Sequence, residues 1–403
     1  MSEDKFTFMK DIWQHIPRPK SSDNTEATLQ QNEGEGTIED EVHADTSAVI
    51  LGHDYQGDSI ADKIKSLIWL SYRTGFQPIA KHEDGPYPLQ FISSMVFNRN
   101  PFSAQFSSFI NNDFFTTDVG WGCMIRTSQS LLANALVKFG NEEEEVIKLF
   151  KDDESATYSL HNFIKVANES PLHVRPGQWF GPNAASLSIQ RLCRGELNVI
   201  ISESSDLYDD QIKSMKGNLL VLLPIRLGID KINSIYHDSI LQLLNLPQSI
   251  GIAGGRPSSS FYFVGFDNIN KDLLYLDPHY PQQCAEDGIK ESFYTKNYQR
   301  LKIDDLDPSM MVGLVIKNWE DYENLKERLK GTKIVHFQSK ESTFKDIADV
   351  ESIADDELDD HLGHTQKNDK EDNDFVSIDH NIENEDVVEI ENSKIDSSYD
   401  LIK

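Results

Sequence analysis

The sequence has few cysteines, few basic side chains and no long apolar run, and each shortage excludes a class of protein. Three cysteines in 403 residues cannot form a disulfide framework. The sequence also lacks a Cys-x-x-Cys pair, which would indicate a structural zinc site. Only 38 lysines and arginines face 67 acidic residues, so the net charge of −29 should repel nucleic acid. The longest unbroken apolar run, residues 219–223, is too short to cross a bilayer. We therefore expect a cytoplasmic protein without metal or other cofactor, which meets membranes only through a partner.

Composition divides the chain into four parts. Residues 1–16 have the apolar spacing of a short amphipathic segment, and residues 17–58 are rich in Ser, Asn, Gln and acidic residues, which predicts a disordered linker. Residues 59–345 contain the apolar periodicity of a folded domain. Residues 346–403 are acidic and poor in aromatics, so we expect a disordered tail.

A polar, glycine-broken loop at 116–122 leads directly into an apolar helical pattern that starts at Cys123 and stops at Gly140. Unpaired N–H groups and the positive end of the helix dipole favour a thiolate on the first turn. The alternative is a small buried core residue, which is the ordinary role of a lone cysteine. A nucleophile also needs a base.

The second half of the chain offers that base. Residues 273–276 predict a short buried strand, followed by Asp277, Pro278 and His279. Residues i and i+2 of a strand share a face, so the carboxylate and the imidazole can project the same way. Asp-Pro also begins many ordinary turns, so this motif is weak alone. Together with Cys123 it predicts the triad of a thiol protease.

Four blocks of the sequence resemble the signatures of the autophagins, the autophagy-related protein 4 cysteine proteases. They lie at 121–126 (WGCMIR), 177–182 (GQWFGP), 254–257 (GGRP) and 276–279 (LDPH). The resemblance implies an α+β, papain-like cysteine protease fold with a family-specific helical insertion. It further implies a monomer that cuts a ubiquitin-like autophagy modifier after a glycine near its C-terminus and releases the modifier from phosphatidylethanolamine. Recruitment to pre-autophagosomal membranes is a further expectation.

The same resemblance assigns further site residues. Tyr72 matches the position whose phenol stabilises the oxyanion beside the amide of the nucleophile. Trp179 matches a tryptophan that covers the nucleophile and leaves a slot for a glycine. The matching lid consists of Arg256, Pro257, Ser258 and Ser259. From the sequence we also predict that Ile64, Leu67, Ile68 and Tyr72 form one helical face, and that residues 251–259 form a mobile glycine-rich loop.

Three tetrapeptides have an aromatic-x-x-aliphatic form that can bind a ubiquitin-like protein by strand addition. They run from Trp13 to Ile16, from Phe375 to Ile378 and from Tyr399 to Ile402. The alternatives are docking of the first on the protein body and chance occurrence of the others. Two other functions also remain open for the whole chain: a catalytically silent adaptor for a ubiquitin-like protein, and a papain-like deubiquitinase.

Overall fold

The protein is described by a computed structural model over residues 47–86, 113–256, 259–284 and 290–340. Within these ranges, the strands are β1 Ser47–Ile50, β2 His53–Gln56, β3 Arg73–Ala80, β4 Phe114–Thr117, β5 Asn198–Ile201, β6 Asp206–Tyr208, β7 Leu219–Arg226, β8 Ser249–Arg256, β9 Ser259–Asp267, β10 Leu273–Leu276, β11 Gln282–Gln283, β12 Gln299–Leu301, β13 Ser309–Ile316 and β14 His336–Gln338. The helices are α1 Asp58–Lys65, α2 Cys123–Lys138, α3 Glu143–Lys148, α4 Leu160–Ala167, α5 Pro182–Leu192, α6 Asp209–Ser214, α7 His237–Leu244 and α8 Trp319–Arg328.

The largest sheet in the described ranges is mixed and has nine strands. Its main path is β12-β10-β9-β8-β13-β7-β5, and β1 joins it at β9 and carries β2. Only β5 pairs in parallel with β7; the other pairs of this sheet are antiparallel. The mixed α/β architecture is consistent with a papain-like protease, as the sequence predicts.

Strands β1 and β2 correct the predicted linker at 17–58. Ala48, Val49 and Ile50 pair with β9 and are almost fully buried, so ordered structure begins before residue 59. The apolar run of β1 is short and lies among polar residues, so the sequence pattern did not indicate a strand. The strand is stabilised by pairing with β9, which is distant in the chain. Residues 1–46 and 341–403, which include the rest of the linker and the acidic tail, lie outside the described residues.

Helices cover both faces of the large sheet, which explains the continuous apolar runs of its central strands. Along β7, Leu220 and Leu222 join the core on the face of α2, whereas Val221 and Leu223 join the core on the face of α7. No helix in the described part of the chain is both long enough and apolar enough to span a bilayer.

Helix α2 is buried over almost its whole length. Every residue from Cys123 to Leu136 is buried, and the helix packs against β8 and β9. The buried set includes polar side chains that bond to segments elsewhere in the chain. One of these segments is residues 68–72, which the sequence analysis placed in a helix.

That helical prediction for Tyr72 is wrong, because α1 ends at Lys65. The following segment is extended and bonds to side chains of α2 instead of to itself. Ser130 Oγ accepts the Leu70 amide at 2.9 Å, and Asn134 bonds both the amide and the carbonyl of Ile68. These buried bonds replace the backbone bonds of a helix.

One further element differs from the predictions. The glycine-rich stretch expected to be a loop is mostly strand β8, which pairs with β9 up to Arg256 and Ser259. A side chain at Gly255 would overlap the Ser259 carbonyl, so the glycine permits the close pairing of the two strands.

Candidate active site

Cys123 is the first residue of α2, as predicted, and its side chain is buried. The turn before it is closed by the Asp118 carbonyl, which accepts the amides of Trp121 and Gly122 at 3.2 and 2.9 Å. A Cβ on Gly122 would lie 2.5 Å from an Asp118 carboxylate oxygen. The glycine before the cysteine is therefore required by packing.

Asp277 and His279 follow the last residue of β10 and face each other, as the spacing predicts. Asp277 Oδ1 accepts two hydrogen bonds from His279, one from the ring Nδ1 at 2.6 Å and one from the backbone amide at 2.9 Å. The carboxylate therefore fixes the orientation of the ring and leaves Nε2 for another partner. The Phe261 ring packs edge-on against the His279 ring, with the two ring centroids 5.4 Å apart.

The Cys123 thiol and the His279 ring form a hydrogen bond. Burial lowers the pKa of His279, but the hydrogen bonds to Asp277 and Cys123 and their negative charges outweigh burial and raise it to about 9. The imidazole is thus held in its protonated form beside a sulfur that can carry the negative charge. Such a pair is prepared for nucleophilic attack at neutral pH.

Tyr72 lies in the same cluster. Its amide donates to the Pro278 carbonyl at 2.9 Å, and its ring packs edge-on to His279 at 5.2 Å. Its hydroxyl bonds to the Cys123 sulfur and accepts the Gly120 amide. Burial, reinforced by the charge of Cys123, raises the pKa of Tyr72 well above its usual range. The phenol therefore remains a proton donor throughout the working range of pH.

Trp179 lies beside the thiol, in the loop before α5. Its indole is 37% exposed, and Nε1 donates to the Gly120 carbonyl at 3.1 Å. Together with Cys123 it lines a slot of about 140 Å³. The other residues of this slot are Met124, Phe180, Pro182, Gly254, Gly255, Arg256, Ser259, Ser260, Asp307 and Ser309.

The predicted lid is the turn between β8 and β9. Arg256 and Ser259 are paired at its base and line the slot, whereas Pro257 and Ser258 lie outside the described residues. The base is connected to α2, because Ser260 Oγ and Thr127 Oγ1 are 2.8 Å apart. A larger cavity of about 550 Å³ also contacts Trp179, but Cys123 does not line it. The smaller slot is therefore the candidate reaction site.

A buried charge cluster behind the thiol was not predicted from the sequence. Arg126, in the first turn of α2, binds Asp118 through Nε and Asp152 through Nη1, each at 2.7 Å. Arg73 Nε lies 3.8 Å from Asp152. Burial raises the pKa of Asp118, and Arg126 opposes this effect. The sequence signal for this cluster was the pair Asp118 and Arg126, which lie on either side of Cys123 with only apolar residues and glycines otherwise between them.

Within the described ranges, no three His, Cys, Asp or Glu side chains are grouped to hold a metal ion. Cys193 is buried and Cys284 is half-buried, and both are free thiols. The six residues of the tetrapeptides, Trp13, Ile16, Phe375, Ile378, Tyr399 and Ile402, lie outside the described residues.

A thiol paired with an imidazole at the junction of a buried helix and a sheet is typical of papain-like cysteine peptidases. Comparison with known proteins narrows this class. The family model of the peptidase C54 catalytic domain matches residues 57–328. The chain is also similar to three curated yeast proteins. It is 55% identical to the probable cysteine protease ATG4 of Meyerozyma guilliermondii over 320 residues, which are 75% of this chain and 77% of that protein.

The other two relatives are more distant. Identity is 50% to the cysteine protease ATG4 of Candida albicans over 312 residues, 72% of this chain and 70% of that protein. It is 39% to the cysteine protease ATG4 of Saccharomyces cerevisiae over 319 residues, 72% of this chain and 64% of that protein. The chain belongs to the peptidase C54 family, the autophagins. It is a cysteine-type peptidase of autophagy, which excludes the adaptor interpretation.

Proposed function

We propose that this peptidase hydrolyses the amide bond after a glycine near the C-terminus of a ubiquitin-like autophagy modifier. The observation that carries the proposal is the narrow slot between Trp179 and the β8–β9 hairpin, with the Cys123 thiol on its wall. A slot of this size admits an extended backbone without side chains. Glycine at the cut is the residue that meets this requirement.

The proposed mechanism begins with the Cys123 thiolate attacking the glycine carbonyl carbon. The carbonyl π electrons move to oxygen, and the resulting oxyanion is bound by the Tyr72 hydroxyl and the Cys123 amide. His279 then gives its proton to the leaving nitrogen, the C–N bond breaks, and a thioester remains on the sulfur.

Water completes the cycle. His279, now neutral, takes a proton from a water molecule as its oxygen attacks the thioester carbonyl. The C–S bond breaks and releases the modifier with a C-terminal glycine carboxylic acid, which loses its proton to solvent. The thiolate and the protonated imidazole are then restored. Asp277 holds the ring in one orientation throughout.

The same chemistry supports release of the modifier from phosphatidylethanolamine. That linkage is also an amide of the terminal glycine, and its leaving group is the nitrogen of ethanolamine instead of an amino acid. The enzyme would act as a cytoplasmic monomer and would reach membranes through the lipid-linked modifier. Gel filtration with light scattering tests the monomer, and fluorescence imaging of a tagged enzyme tests the location.

The partner would be gripped at two places. Ile229, 81% exposed, lies in the loop after β7, where Arg226 donates to the Gly228 and Ile229 carbonyls and to Ser309 Oγ in the wall of the slot. This apolar side chain is suited to contact the folded body of the modifier. The tail motifs around Phe375 and Tyr399 would add a strand to the modifier, and binding of the corresponding peptides tests this directly.

The deciding experiment uses a modifier precursor with extra residues after its glycine. Mass spectrometry should show one cut after that glycine by the wild type and none by Cys123→Ser. The same modifier linked to phosphatidylethanolamine in liposomes should be released by the wild type only. A cut at another residue, or rapid labelling of Cys123 by a ubiquitin-derived electrophile, would favour a different substrate such as ubiquitin.

A further inference from the structure

We propose that Asp118 is a positioning residue that sets the oxyanion hole by fixing Tyr72 relative to Cys123. The inference rests on the proposed function, because an oxyanion forms only if Cys123 carries out acyl transfer. Asp118 does not line the slot, so its effect would pass through its neighbours.

The first argument is the attachment of Asp118 to the residue after Tyr72. The carboxylate Oδ1 accepts the Arg73 amide at 2.6 Å, and the Asp118 amide donates to the Arg73 carbonyl at 3.3 Å. Both backbone groups of Arg73 are therefore held by one residue. Movement of Asp118 would shift the backbone that carries the Tyr72 phenol.

The second argument is the attachment of Asp118 to the loop that leads into Cys123. Its carbonyl accepts the amides of Trp121 and Gly122, which closes this loop into a tight turn. The turn directs the Gly120 amide to the Tyr72 hydroxyl. Asp118 therefore fixes the phenol from two sides, through the Arg73 backbone and through Gly120.

The third argument is the bond to α2. Asp118 Oδ2 accepts Arg126 Nε at 2.7 Å, with both side chains fully buried. Arg126 is three residues after Cys123, so one carboxylate connects the segment of the oxyanion donor to the helix of the nucleophile. Each oxygen has its own N–H donor, an arrangement that an uncharged amide cannot reproduce because its nitrogen would face one of them.

Asp152 provides a matched control. Its carboxylate is also almost fully buried and also accepts from Arg126 at 2.7 Å, but it pairs with the side chains of Arg126 and Arg73. Asp152→Asn therefore removes the same charge from the same arginine. Asp118→Asn removes that charge and also disturbs the hydrogen bond to the Arg73 amide, which positions the backbone beside Tyr72.

The test compares two reactions of Cys123. Alkylation by iodoacetamide needs the thiolate but forms no oxyanion, whereas cleavage of the modifier precursor needs both. Removing one oxyanion donor costs about 10²–10³-fold in rate. We expect Asp118→Asn to lower kcat by about 10-fold or more at unchanged KM while alkylation stays within about 2-fold of wild type. Tyr72→Phe should also lower cleavage more than alkylation, and Asp152→Asn should leave the ratio of the two rates unchanged.

The double variant Tyr72→Phe/Asp118→Asn distinguishes positioning from general loosening. If Asp118 acts through Tyr72, the double variant should cleave no more slowly than Tyr72→Phe alone. An unchanged ratio in Asp118→Asn, a parallel loss of alkylation, or fully additive losses would each overturn the proposal. Should Asp118→Asn not fold, Asp118→Glu keeps the charge but displaces the carboxylate, and the same ratio should fall. Absence of cleavage by the wild type would instead refute the proposed function.

Discussion

Replacing Asp277 with asparagine should move the alkaline limit of activity to lower pH. Asp277 Oδ1 accepts hydrogen bonds from the ring Nδ1 and the backbone amide of His279. The bond to the ring is the strongest of the contacts that raise the imidazole pKa from 6.5 to about 9. That difference corresponds to about 3 kcal/mol of preference for the protonated ring. Asparagine keeps the size of the side chain but removes the charge.

The sign follows from the direction of the shift. A raised pKa means that the folded protein favours the imidazolium, so the ring keeps its proton up to about pH 9 and loses it above that pH. Without the carboxylate, the ring should lose its proton at least about one pH unit earlier. At pH 8 the protonated fraction of the ring would then fall from about nine-tenths to about one half or less, so kcat/KM should fall by about 2-fold or more from this cause, and by more as the pH rises.

The assay is kcat/KM for precursor cleavage, measured at several values between about pH 6 and 10 for wild type and Asp277→Asn. Asp209→Asn is the control, because the side chains of Asp209 and Asp277 are both 20% exposed and each binds one cationic partner. Asp209 pairs with Lys326 and should leave the pH profile unchanged. A variant Asp277→Asn with the alkaline limit of the wild type would refute the reasoning.

Four further outcomes are expected. Tyr72→Phe should lower kcat by about 10²–10³-fold with little change in KM, as measured by initial rates of precursor cleavage. Trp179→Ala should open the slot, so that a precursor with alanine in place of the terminal glycine is cut, as measured by mass spectrometry. Ile229→Asp should raise KM for the folded precursor and leave cleavage of a short peptide unchanged; equal effects on both would contradict a contact with the modifier body. The stabilisation that His279 contributes should be complete below about pH 6.5 and lost above about pH 9, so urea unfolding of His279→Ala should show about 3 kcal/mol less pH dependence across that interval.

The sequence predicts the chemistry of this site better than its framework, for a physical reason. Helix α2 and strand β10 have local signals, because the apolar periodicity from Cys123 to the stop at Gly140 and the proline beside His279 are encoded within these segments themselves. The i, i+2 spacing of Asp277 and His279 is likewise local, and the structure brings these three side chains together. Their catalytic roles, and those of the slot residues, remain predictions until variants are tested.

The segment before Tyr72 could not be predicted in the same way. Its apolar residues fit a helical period, but Ser130 and Asn134 of α2 bond to its backbone from 60 and 66 positions away in the chain. The prediction of a loop over the glycine-rich stretch is wrong for a related reason. Gly254 and Gly255 suit a loop by composition, yet they lie in strand β8. Met310 and Ser259 approach them so closely that no Cβ would fit, so glycine is needed for the strand pairing itself.

The polar side chains on α2 show why the whole site depends on one buried helix. Ser130 holds the segment of Tyr72, Arg126 holds Asp118, and Thr127 contacts Ser260 at the base of the hairpin. The segment of Tyr72, the Asp118 loop and the hairpin wall of the slot are thus tied by buried bonds to the element that carries Cys123, and breaking such bonds is costly.

Trp179 is attached differently. Its side chain is partly exposed, and its indole donates a hydrogen bond to a backbone carbonyl in the loop before α2. Exchanging that bond for one to water costs little, since a net hydrogen bond contributes only about 1 kcal/mol. The structure therefore favours movement of the indole over movement of the helix when a modifier tail enters.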